Sequence, residues 1–144
     1  MIDPAALAAL HARCFSRPRP WSADEFRSLV DGRGCFLLCR PQDDPQAFLL
    51  GRIVGDEAEL LTLAVAPKAR RAGLGRELVA AFAEHACEEG AVVAFLEVAD
   101  DNLAARRLYS GAGWLEAGLR RRYYGPSTDA VVMRLTLRTD QQGG

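Results

Sequence analysis

The chain has 144 residues, of which 49% are hydrophobic and 26% are charged, and its formal net charge is -1. This length is sufficient for one globular domain with its own core and is short for two. The balanced charge excludes a global field that would draw the protein onto nucleic acid or an anionic membrane, so a charged partner must bind at a local site.

The sequence indicates neither a targeting signal nor a metal site. Its first residues lack the basic start and apolar core of a signal peptide, and no apolar run reaches the ~20 residues of a membrane span, so we expect a cytoplasmic protein. Two histidines, His11 and His85, lie near cysteines, which is weak support for the alternative of a metal site. The four cysteines form no C-x-x-C pair and are typical of small buried hydrophobes: Cys14, Cys35, Cys39 and Cys87.

The first half of the chain predicts two helices followed by three strands. Apolar spacing indicates a helix over residues 3–14. The segment WSADEF predicts the start of a second helix, with Ser22 as N-cap, Glu25 as its capping-box partner and Trp21 stapled against Phe26. Three apolar runs separated by turn-rich segments then predict an antiparallel meander: CFLLCR, QAFLLGRIV and AELLTLAV.

The second half predicts a parallel crossover and a closing hairpin. Helical spacing from Leu74 to about Glu89 precedes the apolar segment AVVAFLEV, which favours a central strand flanked by helices. Strand, helix and strand then form a right-handed parallel crossover. Another helix is predicted from about Asn102 to Gly111, and WLEAGLR and VVMRLTL alternate like two arms of a hairpin. We predict one α+β domain over residues 1–138 and a disordered tail over residues 139–144.

A glycine-containing segment, AVAPKARRAGLG (residues 64–75), joins the third strand to the helix that follows. Unsatisfied N–H groups and the macrodipole favour an anion at a helix N-terminus, and Gly73 and Gly75 allow a phosphate to touch the main chain. Leu78 occupies the third glycine position of a dinucleotide fingerprint and no G-K-[ST] follows, so neither common nucleotide motif applies. The segment predicts a phosphate-bearing cofactor, with a simple tight turn as the alternative. Nearby arginines add positive charge: Arg70, Arg71 and Arg76.

Longer motifs resemble one known family. R-x-x-G-x-G at Arg70, Gly73 and Gly75, preceded by LAVAP and followed by a helix, resembles the acetyl-coenzyme-A pyrophosphate loop of the GCN5-related N-acetyltransferase (GNAT) superfamily. LEVADDNLAARRLYSGAGW (residues 96–114) is similar to the L-E-V-x-x-x-N-x-x-A-x-x-L-Y-x-x-x-G-F block of its RimI-type ribosomal-protein alanine acetyltransferases, with Trp114 in place of Phe. RPWSADEF and RRRYYGPSTDAVVMRLTL resemble other segments of that type, so the resemblance spans nearly the whole chain.

The resemblance implies both a fold and an activity. The fold is the α/β/α layered GNAT fold, a mixed central sheet with an antiparallel N-terminal meander, a parallel crossover after the glycine loop and a C-terminal hairpin. The activity is acetyl transfer from acetyl-coenzyme A to the N-terminal α-amine of a protein. The implied acceptor is the N-terminal alanine of a small-subunit ribosomal protein. Glu97 is implied as a general base acting through water, and Tyr109 as an acid that assists the departing thiolate. Without the resemblance, these residues indicate a solvent-facing carboxylate and a core aromatic.

The resemblance also implies a set of cofactor-binding residues. A bulge near Ala64 and Val65 is expected to free main-chain groups for the carbonyl of the acetyl group. Asn102, Ala105 and Tyr109 have the spacing of one helix face, which is expected to meet the pantetheine arm. The implied residues lie on the third strand, the glycine loop and the last helix: Leu63, Ala64, Val65, Arg70, Arg71, Ala72, Gly73, Leu74, Gly75, Arg76, Asn102 and Ala105.

Trp21, Tyr123 and Tyr124 are implied to hold the acceptor peptide. The arginines at residues 120–122 are typical of a solvated hairpin face and do not indicate RNA binding. Two other functions stay open: acetylation of a small amine or a lysine on the same scaffold, and a non-catalytic coenzyme-A-binding module. The presence of both Glu97 and Tyr109 disfavours a non-catalytic module. The pair of Tyr123 and Tyr124 favours a peptide acceptor over a small amine. We expect a monomer or a weak dimer.

Overall fold

The computed structural model describes residues 3–14, 22–41, 46–69, 73–125 and 128–137. The predicted division into a domain ending at residue 138 and a tail stays a prediction, because residues 138–144 lie outside these ranges. The described ranges contain four α-helices and six β-strands, in this chain order: α1 (Pro4–Cys14), α2 (Ala23–Val30), β1 (Cys35–Arg40), β2 (Ala47–Val54), β3 (Glu57–Val65), α3 (Leu74–Glu88), β4 (Val93–Ala99), α4 (Leu103–Gly111), β5 (Leu115–Gly125) and β6 (Thr128–Thr136). None of the described helices is both long and apolar enough to cross a membrane.

All six strands join one mixed sheet in the order β1-β2-β3-β4-β6-β5. The predicted antiparallel meander of β1, β2 and β3 is confirmed. The predicted crossover is confirmed as well, since β3 and β4 are parallel neighbours joined through α3. The C-terminal hairpin inserts its second arm, β6, between β4 and β5, so β5 is the outer strand. The sheet is therefore antiparallel at both ends and parallel only at its centre.

Helices cover both faces of the sheet, which gives the predicted α/β/α layers. Neighbouring residues of β2 show the division, because Phe48 packs in the cluster with α1 and α2 whereas Leu49 packs in the cluster with α3 and α4. These two sides are named the α1/α2 face and the α3/α4 face below. Phe26 of α2 and Phe82 of α3 are both fully buried, one on each face.

The predicted central strand is β4, which lies between α3 and α4 in the chain, and among the described residues its two faces differ in burial. Its burial alternates, with Ala94, Leu96 and Val98 buried against the α3/α4 face. Phe95 and Glu97 point to the α1/α2 face, where they line a cavity. The reason is that α1 packs against β3 and α2 packs against β1, on the meander half of the sheet.

The predicted capping box at the start of α2 is confirmed. Ser22 Oγ accepts a hydrogen bond from the Glu25 backbone N–H at 3.1 Å, and Glu25 Oε1 accepts one from the Ser22 N–H at 3.0 Å. Two N–H groups of the helix start are thereby satisfied. The staple to Trp21 stays a prediction, because that residue lies outside the described ranges.

A β-bulge reverses the orientation of β3 halfway along the strand. Leu50 pairs with Thr62 and Gly51 pairs with Leu60, which leaves Leu61 as the extra residue. Ala58 and Leu60 consequently face α3 and α4, whereas Thr62 and Ala64 face α1 and α2. The sequence-based placement of the bulge near Ala64 and Val65 is wrong, because those residues pair regularly with Phe48 and Ala47.

His11 connects α1 to the second half of β3. Its ring is 2% exposed, and Nε2 lies 3.1 Å from Thr62 Oγ1, one residue past the bulge. The ring packs against Phe26 and Phe48 with centroid distances of 5.4 and 6.4 Å. Burial lowers the pKa of His11 to about 4, against an opposing contribution from Glu25. The fold therefore holds the imidazole in its neutral form.

This burial predicts a loss of stability in acid. Because the pKa of His11 is about 4 in the fold against 6.5 for an unperturbed histidine, its contribution to stability is fully present above pH 6.5 and falls as the pH is lowered towards 4. The fall in the free energy of unfolding should reach at most about 3 kcal/mol. Urea denaturation at successive pH values measures it. His11→Gln, which cannot titrate, should flatten this pH range; an unchanged pH dependence would assign the effect to other groups.

Gly51 of β2 lies opposite the bulge of β3, and the packing around it leaves no room for a side chain. A Cβ there would lie 2.5 Å from Phe36 Cζ and 2.9 Å from Phe82 Cε1, between two stacked rings. We expect Gly51→Ala to lower the free energy of unfolding by about 1–3 kcal/mol, because the rings must shift. Gly111→Ala is the control, since nothing lies within 4 Å of its Cβ position. Denaturant unfolding compares the variants, and equal stabilities would show that the rings yield freely.

Candidate active site

The central pair of strands parts before either strand ends. The parallel register of β3 and β4 runs from Glu57↔Val93 to Leu60↔Leu96. Beyond it, β3 continues on β2 and β4 continues on β6. The sheet thus opens between its two halves at the C-terminal ends of β3 and β4, and this gap is named the strand opening. Main-chain groups that border such a gap are accessible to a ligand that enters it.

The bulge of β3 lies at the base of the strand opening. Leu61 is the first residue past the last β3–β4 pair. Three of the sequence-predicted cofactor-binding residues follow it and border the opening. Leu63 and Val65 pack towards the α3/α4 face, whereas Ala64 is buried on the α1/α2 face. A ligand in the opening would therefore meet the main chain of this segment rather than its side chains.

The N-terminus of α3 lies beside the end of β3. Gly73 is its N-cap, with a φ of 81° and no side-chain hydrogen bond to the helix start. Among the described residues, none comes within 4 Å of a Cβ built on Gly73. Gly75 is close to both neighbours, because its Cβ position lies 3.4 Å from Leu108 Cδ2 and 3.6 Å from Val65 Cγ2. An uncapped helix start suits an anion.

The remaining glycine-loop residues are only partly described. Leu74 is half-buried against the α3/α4 core, and Arg76 is exposed on the first turn of α3. The predicted contacts of Arg70, Arg71 and Ala72 lie outside the described residues.

Asn102 begins α4 and uses its side chain to do so. Its Oδ1 accepts a hydrogen bond from the Ala105 backbone N–H at 3.2 Å, which is the geometry of an N-cap. This capping role was not predicted from the sequence, and it engages only the oxygen of the side-chain amide. Asn102 is exposed, Ala105 is half-buried and Tyr109 is buried, so these three residues lead from the surface into the core.

Glu97 stands at the mouth of the strand opening. It is the first residue of β4 past the last β3–β4 pair, and its side chain lies on the α1/α2 face with 25% exposure. Its Oε1 accepts a hydrogen bond from Arg120 Nη1 at 2.5 Å. The Arg120 guanidinium carbon also lies 4.0 Å from the centre of the Tyr123 ring. The hydrogen bond to Glu97 raises the pKa of Arg120 above its usual value.

Arg120 is the residue that sequence reasoning missed. The arginine run is predicted to form a solvated hairpin face, and Arg120 is exposed on that hairpin, but its guanidinium also binds the Glu97 carboxylate, a contact that the run does not indicate. The pair spans 23 residues of sequence and crosses the intervening strand β6. Predicting this contact requires the strand order β4-β6-β5. The spacing of residues along the chain does not give that order.

Tyr109 lies on the other side of the sheet from Glu97. The residue is 6% exposed, and its ring centre is 6.0 Å from that of Trp114 in the α3/α4 core. The packing of Tyr109 is therefore that of a core aromatic, which is the alternative given in the sequence analysis. Because a sheet separates the two faces, one molecule can approach both Glu97 and Tyr109 only through the strand opening.

A cavity of about 420 Å³ lies on the α1/α2 face next to Glu97. Its floor is the paired part of β3 and β4, and an ion pair between Arg52 and Glu59 at 2.5 Å lies on its wall. Tyr123 is half-exposed near this side of the sheet; the side chains of Trp21 and Tyr124 lie outside the described part of the chain. The lining residues come from β2, β3, β4 and β6: Arg52, Val54, Glu57, Ala58, Glu59, Phe95, Leu96, Glu97 and Val132.

The described residues bring no three potential metal ligands together. His11 instead contacts Thr62, and the His85 ring packs 4.3 Å from the Phe36 ring centre. Cys87 donates its thiol hydrogen to the Leu137 carbonyl at 3.8 Å. The described histidines and this cysteine have structural contacts.

Comparisons with known proteins agree with this geometry. Ribosomal protein bS18-alanine N-acetyltransferase of Escherichia coli (strain K12) is 35% identical over 134 residues, with 90% of each chain covered. N-alpha-acetyltransferase RimI of Mycobacterium tuberculosis is 36% identical over 138 residues, covering 92% of this chain and 85% of the relative. The crystal structure of the ribosomal-protein-S18-alanine N-acetyltransferase from Escherichia coli matches with a TM-score of 0.84 at 31% identity, covering 95% of this chain and 89% of that chain.

This likeness confirms the fold that the sequence predicts. A model of the acetyltransferase (GNAT) family also matches residues 5–114, from the first helix to Trp114. Since that match and these relatives span most of the chain, the protein belongs to the acetyltransferase (GNAT) family.

Proposed function

We propose that the protein transfers the acetyl group of acetyl-coenzyme A to the N-terminal α-amine of a protein, the N-terminal alanine of a small-subunit ribosomal protein. Relatives that carry this activity in their names cover nearly the whole chain at 35% identity. The observation that carries the proposal is the strand opening, with Glu97 at its mouth and an uncapped helix N-terminus beside it. The proposed location is the cytoplasm, where the acceptor is made.

The residues present fit acetyl-coenzyme A. The start of α3 has no side-chain cap at Gly73, and no described residue lies within 4 Å of a Cβ at that position, which suits a diphosphate. The main chain of residues 61–64 borders the strand opening and suits the amides of the pantetheine arm, and Asn102 offers its NH2 group at the start of α4. When bound, this co-substrate supplies an activated acetyl thioester. The chain supplies position and proton transfer.

Glu97 is proposed as the general base. Free α-amines have a pKa of about 7.7–8.0, so most are protonated at neutral pH and must lose a proton before they attack. A carboxylate at the mouth of the opening can take that proton through a water molecule. Backbone N–H groups near the Leu61 bulge are proposed to meet the negative charge that develops on the carbonyl oxygen.

Tyr109 is proposed to hold a proton for the departing thiol at its phenol oxygen. The reference pKa of a phenol is about 10 and that of a thiol about 8.5, so full proton transfer is uphill and hydrogen bonding carries most of the assistance. Tyr109 is buried in α4, next to the residue that contacts Gly75, and it lies on the side of the sheet opposite the base.

The direct test is the identity of the acceptor. Purified protein is incubated with acetyl-coenzyme A and peptides that differ only at the first residue, and thiol release is followed. Preference for a peptide that begins with alanine supports the proposal. Activity confined to polyamines or lysine side chains would contradict the proposed acceptor. Coenzyme-A binding without any acetyl transfer would contradict the proposed enzymatic activity.

Loss of the proposed base should separate binding from turnover. We expect Glu97→Gln to lower turnover by about 10²–10⁴-fold, the usual contribution of a general base. Affinity for acetyl-coenzyme A, measured by calorimetry, should be unchanged, since the side chain lies on the acceptor side. Glu84→Gln, an exposed site on α3, is the matched control. Unchanged turnover in Glu97→Gln would remove this residue from the mechanism.

The cofactor site predicts a different effect at Gly73. We expect Gly73→Ala to weaken acetyl-coenzyme A binding about 10- to 100-fold, because a side chain would fill the space of the diphosphate and displace hydrogen bonds to a charged group. Gly90→Ala is a close control: its φ is 95°, it also has nothing within 4 Å, and it lies past the opposite end of α3. Both variants carry the same kind of backbone strain. Equal cofactor affinity in the two variants would contradict the diphosphate site.

A further inference from the structure

We propose that Arg120 competes with the amino terminus of the acceptor for Glu97, so that the acceptor enters by exchanging one cation for another. This inference rests on the proposed function, because it assumes that a peptide α-amine approaches Glu97. It makes Arg120 a positioning and specificity-determining residue that selects acceptors with a charged amino terminus.

Strand register places the two side chains on one face of the sheet. Glu97 pairs with Val132, and Val132 pairs with Gly118. Arg120 pairs with Ala130, two residues from Val132, so its side chain points to the same side as that of Glu97. The strands β4 and β5 are two spacings apart, about 10 Å. Arg120 must cross β6 to reach Glu97, and the small residue Ala130 leaves room for its alkyl chain.

The contact uses one of the two carboxylate oxygens of the proposed base. Glu97 Oε1 accepts from Arg120 Nη1 at 2.5 Å, so the lone pair on that side is already used. An α-ammonium carries the same unit charge as a guanidinium and forms the same kind of charge-assisted hydrogen bond. Replacement of Arg120 by the ammonium therefore keeps the carboxylate neutralised.

A neutral terminus lacks this means of entry. An acetylated amine has no charge to offer Glu97, so its approach would cost the attraction of the ion pair without supplying a new cation. After acetyl transfer the product has become such an amide. Arg120 then re-forms its pair with Glu97, which favours departure of the product.

Arg120 has both the freedom and the alternative contact that an exchange requires. It lies on β5, the outer strand of the sheet, and its side chain is 51% exposed. Its guanidinium carbon is 4.0 Å from the centre of the Tyr123 ring, three residues further along the same strand. A cation–π contact of this kind can hold the guanidinium when it leaves Glu97.

The experiment compares Arg120→Ala with Arg121→Ala. Arg121 is the next residue of β5, is exposed and carries the same charge. Calorimetry at pH 7, with coenzyme A present, gives the affinity of each variant for an alanine-starting peptide and for the same peptide with its amine acetylated. At this pH the free α-amine is mostly charged.

We expect Arg120→Ala to bind the free-amine peptide about 1.4- to 5-fold more tightly, the range for removal of a partly exposed competing ion pair. The acetylated peptide should bind as it does to the unmodified protein, and Arg121→Ala should change neither affinity. In a Glu97→Gln background the effect of Arg120→Ala should disappear, because the charge for which both cations compete is gone.

Three results would overturn the inference: weaker binding of the free-amine peptide to Arg120→Ala, equal tightening for both peptides, or no change in either. Each would mean that Arg120 supports the substrate or the fold instead of competing for Glu97. Turnover is measured separately. Peptide binding without acetyl transfer would contradict the proposed function, and the exchange would still be decided by the affinities.

Discussion

The early end of the β3–β4 pairing is the constraint on which the candidate active site depends. After Leu60↔Leu96 the two strands follow different neighbours, and the sheet is divided at its centre. A continuous sheet would keep Glu97 and Tyr109 on separate faces with a layer of backbone between them. The strand opening removes that layer next to the glycine start of α3, so a ligand that enters it can reach both faces.

The strand opening is held in place by contacts outside it. On one side, β3 pairs with β2 up to its last residue, and the His11 contact to Thr62 ties it to α1 just past the bulge. On the other side, β4 pairs with β6 along its whole length. Because each half is hydrogen-bonded to its own neighbouring strand, the gap does not need a ligand to keep it open.

Local features could be predicted from the sequence, whereas contacts between distant segments could not. The capping box of Ser22 and the glycine start of α3 depend on a few adjacent residues, and the family resemblance rests on motifs of that kind. The bulge at Leu61 arises because β3 must satisfy a different core on each face, which requires knowledge of both layers. The Arg120 contact with Glu97 depends on β6 lying between β4 and β5. The sequence around an arginine in a charged run does not indicate which carboxylate it will bind.

Because β5 is the outer strand of the sheet, its side chains are largely separate from the residues that stabilise the fold. Large buried side chains sit on the inner strands and helices, so the free energy of folding is concentrated there. Arg120 and Tyr123 stand on a strand that is hydrogen-bonded along one side and exposed through most of its length. On the proposed role of Arg120, substitutions in this strand can therefore alter which amines are accepted while the buried core stays intact. Acceptor preference in this scaffold is thereby open to redesign through a handful of surface positions.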